Sequence, residues 1–120
     1  MIELSPNNGV TYVSRGIAKD DLQDYQGAIL DYNKAIELNP KDAKAYYNKG
    51  TIKSKLQDYR EAIIDYNKAI ELNPKDANAY LNRGLDKLQL KDKNGGCIDL
   101  SKAGKLGSEE AYGWIKKYCH

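Results

Sequence analysis

Residues 31–43 read DYNKAIELNPKDA, and residues 65–77 repeat the same thirteen letters at an offset of 34. LQDY at 22–25 returns at 56–59 with the same offset. This period constrains the fold more than any other feature. A unit of that length cannot bury its own apolar face, so successive copies must stack into a quasi-linear solenoid. Laid out at that period, the chain gives units 9–42, 43–76 and 77–110, with 1–8 and 111–120 left over.

Each unit reads as a pair of helices. In the second, Asp42 is placed to cap a helix over 43–56, its carboxylate accepting from an unpaired backbone amide. Gln57 and Asp58 form a turn. Asp58 and Glu61 read as a capping box for a second helix carrying Ala62, Ile63, Tyr66, Ala69, Ile70 and Leu72. Asn73-Pro74 ends it, because the residue before proline is pushed out of the helical region. Gly50 with Ala62 recurs as Gly16 with Ala28. Glycine inside a helix costs about 1 kcal/mol, so its recurrence predicts a close crossing of the paired helices.

These residues resemble the tetratricopeptide repeat family. Its pattern of aromatic, glycine, alanine, aromatic, alanine and proline is met by Tyr46, Gly50, Ala62, Tyr66, Ala69 and Pro74. Tyr12, Gly16, Ala28, Tyr32, Ala35 and Pro40 meet it again. The third unit keeps Tyr80, Gly84 and Ala103 but has Gly96, Leu100 and Ser108 at the remaining places. Its second helix, GGCIDLSKAGKLG, is similar also to Sel1-like repeats and is expected to be short or loose. SEEAYGWIKKYCH reads as a capping helix over 109–118, with Ser108 as its cap. The resemblance implies an all-α, right-handed solenoid of three helix hairpins plus that C-terminal capping helix. It implies a non-catalytic module that binds a protein or peptide.

Ile2, Glu3, Leu4 and Pro6 match Ile36, Glu37, Leu38 and Pro40. Residues 1–8 therefore read as the remnant of a preceding repeat, from a longer array or a decayed gene start. The first helix would then present an uncapped face, through which copies could self-associate.

The formal net charge is +2, from 19 basic and 17 acidic residues, which gives no electrostatic case for nucleic acid or membrane as partner. No apolar run is long enough to span a bilayer and no basic, apolar leader follows Met1, so the cytoplasm is the expected location. Cys97 and Cys119 fit no metal motif. They are either two reduced thiols, the reading preferred for a cytoplasmic chain, or a disulfide tying down the C-terminal segment in an oxidising compartment. The single histidine is His120, the last residue, and the acidic residues recur with the repeat. An enzyme needs an asymmetric constellation, and none is legible; no cofactor or metal site is implied.

Arg15, Lys49 and Arg83 recur on first helices, and Asp31, Asp65 and Asp99 on second helices. The basic heads are predicted to reach these aspartates within each pair; the alternative is a basic ladder for an acidic ligand. Tyr12, Tyr46 and Tyr80, then Tyr25 and Tyr59, then Tyr32 and Tyr66, share equivalent places and are expected in the core. Tyr47 has no aromatic counterpart and is expected to face a groove.

The resemblance implies that first helices line a concave groove. Its lining would be Val13, Ser14, Ile17 and Asp21, then Lys44, Tyr47, Asn48, Thr51 and Lys55, then Asn78, Leu81, Asn82 and Leu85. Asn48 and Asn82 face the same way on successive units, and each amide can pair with a peptide backbone as donor and acceptor. The competing reading makes both solvated surface residues copied by duplication. Chaperone-binding members of the family clamp a C-terminal carboxylate. Carried over, that clamp needs Lys at Val13, Asn at Ile17, Asn at Asn48, Lys at Asn78 and Arg at Asn82. Only Asn48 fits, so this chain is not expected to carry it.

Overall fold

The computed structural model describes residues 9–120. The remnant read into residues 1–8 lies outside the described residues. Seven helices follow one another: α1 Gly9–Asp21, α2 Tyr25–Leu38, α3 Ala43–Lys55, α4 Tyr59–Leu72, α5 Ala77–Gln89, α6 Lys93–Lys105 and α7 Glu109–Tyr118. Each helix packs on its chain neighbours, and the first helix of each hairpin touches the next, α1 on α3 and α3 on α5. The result is an all-α solenoid measuring 51 × 25 × 22 Å. No described helix is long and apolar enough to cross a membrane.

Caps set the boundaries. Asp42 accepts from the amides of Lys44 and Ala45, and Asp76 from those of Asn78 and Ala79. Ser108 accepts from Ala111 to start α7. Asn39 and Asn73 stop α2 and α4 before their prolines, each side chain accepting from the amide two residues on. The capping box at Asp58 does not form. Asp24 and Asp92 do cap, bonding the amides of Gly27 and Gly95. A Cβ on either glycine would lie 2.3 Å from the other oxygen of the capping carboxylate. Glu61 carries that Cβ, so Asp58 cannot take the carboxylate placement of Asp24 and Asp92. Glu61 turns instead toward Lys53, 3.9 Å away.

The close crossing has a defined occupant. A Cβ on Gly16 would stand 2.6 Å from the Tyr32 ring, and one on Gly50 2.8 Å from the Tyr66 ring. Only glycine leaves room for these two buried tyrosines. The other shared tyrosines, expected in the core, are half-buried. Those on first helices lie under a basic head: Arg15 over Tyr12 at 5.0 Å, Lys49 over Tyr46 at 5.8 Å and Arg83 over Tyr80 at 5.3 Å.

Helix α6 is neither short nor loose: it runs 13 residues and buries Gly96, Asp99, Leu100, Ala103 and Gly104. The glycines are its contact points. A Cβ on Gly96 would meet the Gly84 carbonyl at 2.8 Å, and one on Gly104 the Tyr112 ring at 2.9 Å. Leu100 and Ala103 pack with Leu81, Ala111 and the half-buried Trp114 and Ile115 into one core cluster. The two cysteines are not free thiols: Cys97 on α6 and Cys119 after α7 form a disulfide across 22 residues. It ties the capping helix to the third hairpin.

The basic heads do reach the aspartates. Arg15 grips Asp31 at 2.7 and 3.0 Å, and Arg83 grips Asp99 at 2.7 and 2.8 Å, both bidentate. Lys49 approaches Asp65 at 3.3 Å. Sequence reasoning missed a second cation one helical turn on: Lys19, Lys53 and Lys87 lie 3.1, 3.1 and 2.9 Å from the same carboxylates. All three aspartates are buried. The Arg15 and Lys19 contacts, against the cost of burial, hold the Asp31 carboxyl below its usual range. Lys49 also donates to Asn33, and Arg83 to Asn67, stitching each unit to the one before. With these heads engaged, they do not form a free basic ladder.

Candidate functional site

Between α3 and α5 the first helices part to leave a cleft of about 420 Å³. Thr51, Ser54 and Lys55 of α3 form one wall, and Asn82, Leu85, Asp86 and Gln89 of α5 the other; Tyr59 and Tyr66 of α4 close the base. The spacing explains the convergence. Residues three or four apart lie on one helix face, and the 34-residue offset puts Thr51 and Leu85 at equivalent places on neighbouring helices. A second cleft, about 630 Å³, continues on the far side of α5. Leu85 and Gln89 line both clefts, and Leu88, Trp114 and Tyr118 give the second its apolar walls, with Lys91 and Lys93 at its edge.

The residues read from sequence as a groove are only partly brought together. Thr51, Lys55, Asn82 and Leu85 line the first cleft, and Leu85 the second. Val13 and Leu81 are buried in the two core clusters, so they back the surface rather than present to it. Ser14, Ile17, Lys44 and Asn78 are exposed and line neither cleft; Asn48 is half-buried and also lies outside both.

Three of the groove residues are already engaged. The Asn82 amide donates to the Tyr47 hydroxyl at 2.9 Å. The Tyr47 ring tilts against Tyr66 at 5.9 Å between centroids, and burial pushes its hydroxyl above the ordinary tyrosine range. Tyr47 is therefore a brace between units as well as a surface. Lys55 is paired with Asp20 at 2.9 and 3.1 Å, which spends its charge across α1 and α3.

The residue that sequence reasoning missed is Asp86. It is 5% exposed, yet among the described residues no cation pairs with it, whereas Asp31, Asp65 and Asp99 have two each. The Ser54 hydroxyl donates a short hydrogen bond to one of its carboxylate oxygens. Ser54 lies 3.2 Å from the Tyr66 hydroxyl. Since its single proton is given to Asp86, Tyr66 is the donor to Ser54. Burial raises the Asp86 carboxyl from 3.8 to about 6, with the Ser54 bond opposing. Burial also lifts the Tyr66 hydroxyl well above its usual value. The signal was present in the sequence: Ala18 and Ile52 occupy the two places equivalent to Asp86, so this acid does not recur with the repeat. Among the described residues, no group of His, Cys, Asp and Glu could hold a metal.

The profile of the tetratricopeptide repeat matches residues 43–76, and a second profile, a TPR repeat, matches residues 21–57. The chain belongs to the tetratricopeptide repeat family. Solved structures agree with this fold along nearly the whole tetratricopeptide chain. The Arabidopsis OM64 TPR domain superposes with a TM-score of 0.90 at 24% identity, over 94% of this chain and 95% of that one. The first TPR of Spaghetti (RPAP3), solved bound to the HSP90 peptide SRMEEVD, gives 0.89 at 22% identity, over 98% and 95%. MamA gives 0.83 at 27% identity over 91% of this chain, which spans 64% of the MamA chain. A search of curated proteins by sequence finds no match. Membership in this family makes the chain a protein-interaction module.

Proposed function

We propose that this tetratricopeptide module is a non-catalytic adaptor that takes an extended peptide or protein segment along α3, α5 and α7. The observation that carries the reading is the cleft between α3 and α5, where four residues expected in the groove converge with polar groups that have unused hydrogen-bonding capacity. Asn48, next to Thr51 on α3, has no side-chain hydrogen bond among the described residues, and Asn82 keeps its amide oxygen for a ligand. Leu85, Leu88 and Trp114 supply apolar contact from one cleft into the next. A like fold, the first TPR of Spaghetti, is bound to a peptide, which supports a peptide ligand for this chain. Four of the five clamp positions carry other residues here, so the acidic peptide SRMEEVD of that complex is not the ligand proposed for this chain.

A pull-down with the wild-type chain and an Asn48→Ala/Asn82→Ala variant, both checked for fold by thermal unfolding, tests the adaptor reading. A partner held by wild type and lost by the variant is the expected result. Equal capture by both refutes groove binding. The alternative is self-stacking through the uncapped N-terminal face of α1. A mass in sedimentation that does not change with concentration removes it. The sequence points to the cytoplasm, whereas the Cys97–Cys119 bond is the chemistry of an oxidising compartment. Thiol titration of the protein taken from its own cells without reductant decides between them.

A further inference from the structure

Burying a carboxylate without a cation is costly, and buried charges in folded proteins are paired, coordinated or neutralised. The repeat shows this chain's ordinary solution three times, in Asp31, Asp65 and Asp99, each between two cations. Asp86 departs from it. Its carboxyl, 5% exposed, is held by the neutral Ser54 hydroxyl alone and stands in the wall of the α3–α5 cleft. Its other oxygen takes no hydrogen bond from any described residue and is not fully enclosed, and Asp86 lines the cleft. The cation that lines the same cleft, Lys55, is committed to Asp20. The half-buried Tyr59 brings an aromatic ring to the same space, with the fully buried Tyr66 behind it. A desolvated anion beside aromatic rings is the environment that receives an ammonium or guanidinium group.

We infer that the α3–α5 cleft is a subsite for a basic side chain, lysine or arginine, of the bound segment, with Asp86 as its counter-charge and the half-buried Tyr59 beside it. The inference rests on the groove reading and adds to it the chemistry of the ligand. Ser54, held by Tyr66, fixes the carboxylate in one orientation, so the free oxygen points at a set place and the basic residue falls at a set position in the ligand. Asn82, on the same wall, is one turn of α5 away and is placed for the ligand backbone beside that side chain.

The test is selection of a random dodecapeptide phage library on the wild-type chain, on Asp86→Asn and on Asn48→Ala/Asn82→Ala. Asparagine keeps an acceptor for Ser54, so Asp86→Asn is expected to fold, and circular dichroism checks it. Selected sequences should share Lys or Arg at one position. A synthetic peptide from the selection should lose about tenfold or more in affinity, by fluorescence polarisation, on Asp86→Asn. Replacing its basic residue with norleucine should cost wild type a similar factor and cost Asp86→Asn little. The norleucine arm uses only wild-type protein and stands even if the variant misfolds. Peptides that lose binding in the double asparagine variant but carry no shared basic residue would overturn the inference and leave the groove reading in place. So would a basic residue whose replacement costs the same in both proteins. Recovery of no peptide would overturn both.

Discussion

Asp86→Asn is expected to stabilise the unliganded chain at neutral pH, by an amount that vanishes in acid. The Asp86 carboxyl titrates near 3.8 when free and near 6 in the folded chain, because burial disfavours its anion. The native state therefore binds more protons than the unfolded state between those values, and stability falls as pH rises through that window. Below it both states are protonated and the residue costs nothing; above it the cost is constant. A shift of about two units at about 1.36 kcal/mol each sets a ceiling near 3 kcal/mol. One oxygen is not fully enclosed, so about 1–3 kcal/mol is the working range. The assay is urea unfolding of wild type and Asp86→Asn at pH 3.5, 5, 6 and 7.5. The difference should be near zero at the lowest pH and reach its full size in favour of the variant by pH 7.5. The other buried aspartates do not confuse the reading. Asp31 has a lowered pKa, so its contribution is present above its ordinary value and lost as pH falls through the folded one, but it does so alike in both proteins. A variant less stable than wild type at pH 7.5, or a difference that does not change with pH, would refute the reasoning. Either would mean that Asp86 is compensated in a way the geometry does not contain.

Three further outcomes are expected. Gly50→Ala should destabilise by about 1–3 kcal/mol in thermal unfolding, because its Cβ would lie 2.8 Å from a fully buried Tyr66 ring and overpacking outweighs the better helix propensity. Asp99→Ala should cost about 3–5 kcal/mol by urea unfolding, since it strands Arg83 and Lys87 beside a buried site, and a loss below about 1 kcal/mol would make the pair a surface one. Reduction of the Cys97–Cys119 bond, or Cys97→Ser, should cost roughly 3 kcal/mol for a loop of 22 residues, read as a lowered melting temperature in dithiothreitol, with no change in a Cys97→Ser/Cys119→Ser control.

The hairpins were legible because they rest on local rules that the repeat states more than once: an aspartate cap, a glycine beneath a tyrosine, an Asn-Pro stop. What escaped was decided between elements. The glycines of α6 read as weakness, since helix propensity counts them as a cost, yet Gly96 faces Gly84 and Gly104 faces Tyr112, and each gains in approach what it loses in propensity. Asp58 and Glu61 fit a capping box by spacing, but in the sister turns the capping carboxylate takes a placement that a Cβ on Gly27 or Gly95 would block. The pairing of Cys97 with Cys119 depends on α7 folding back over α6, which no local pattern encodes.

Asp86 marks the limit of reading by recurrence. Repetition identifies what every unit needs for packing, and so explains Asp31, Asp65 and Asp99 while passing over a residue that occurs once. A binding site needs the opposite property, because a ligand that takes one position along a solenoid requires something that distinguishes one unit from the next. In unit three the place that holds the buried Ile52 in unit two holds a carboxylate. Ser54 and Tyr66, contributed by the preceding unit, orient it. The departure is thus cooperative across a unit boundary, and it falls in the wall of the cleft where the first helices part. A substitution kept only for solubility would point its charge to water. This one withdraws its charge from water and leaves it unpaired, which lowers the stability of the free chain and is offset only when a cation arrives.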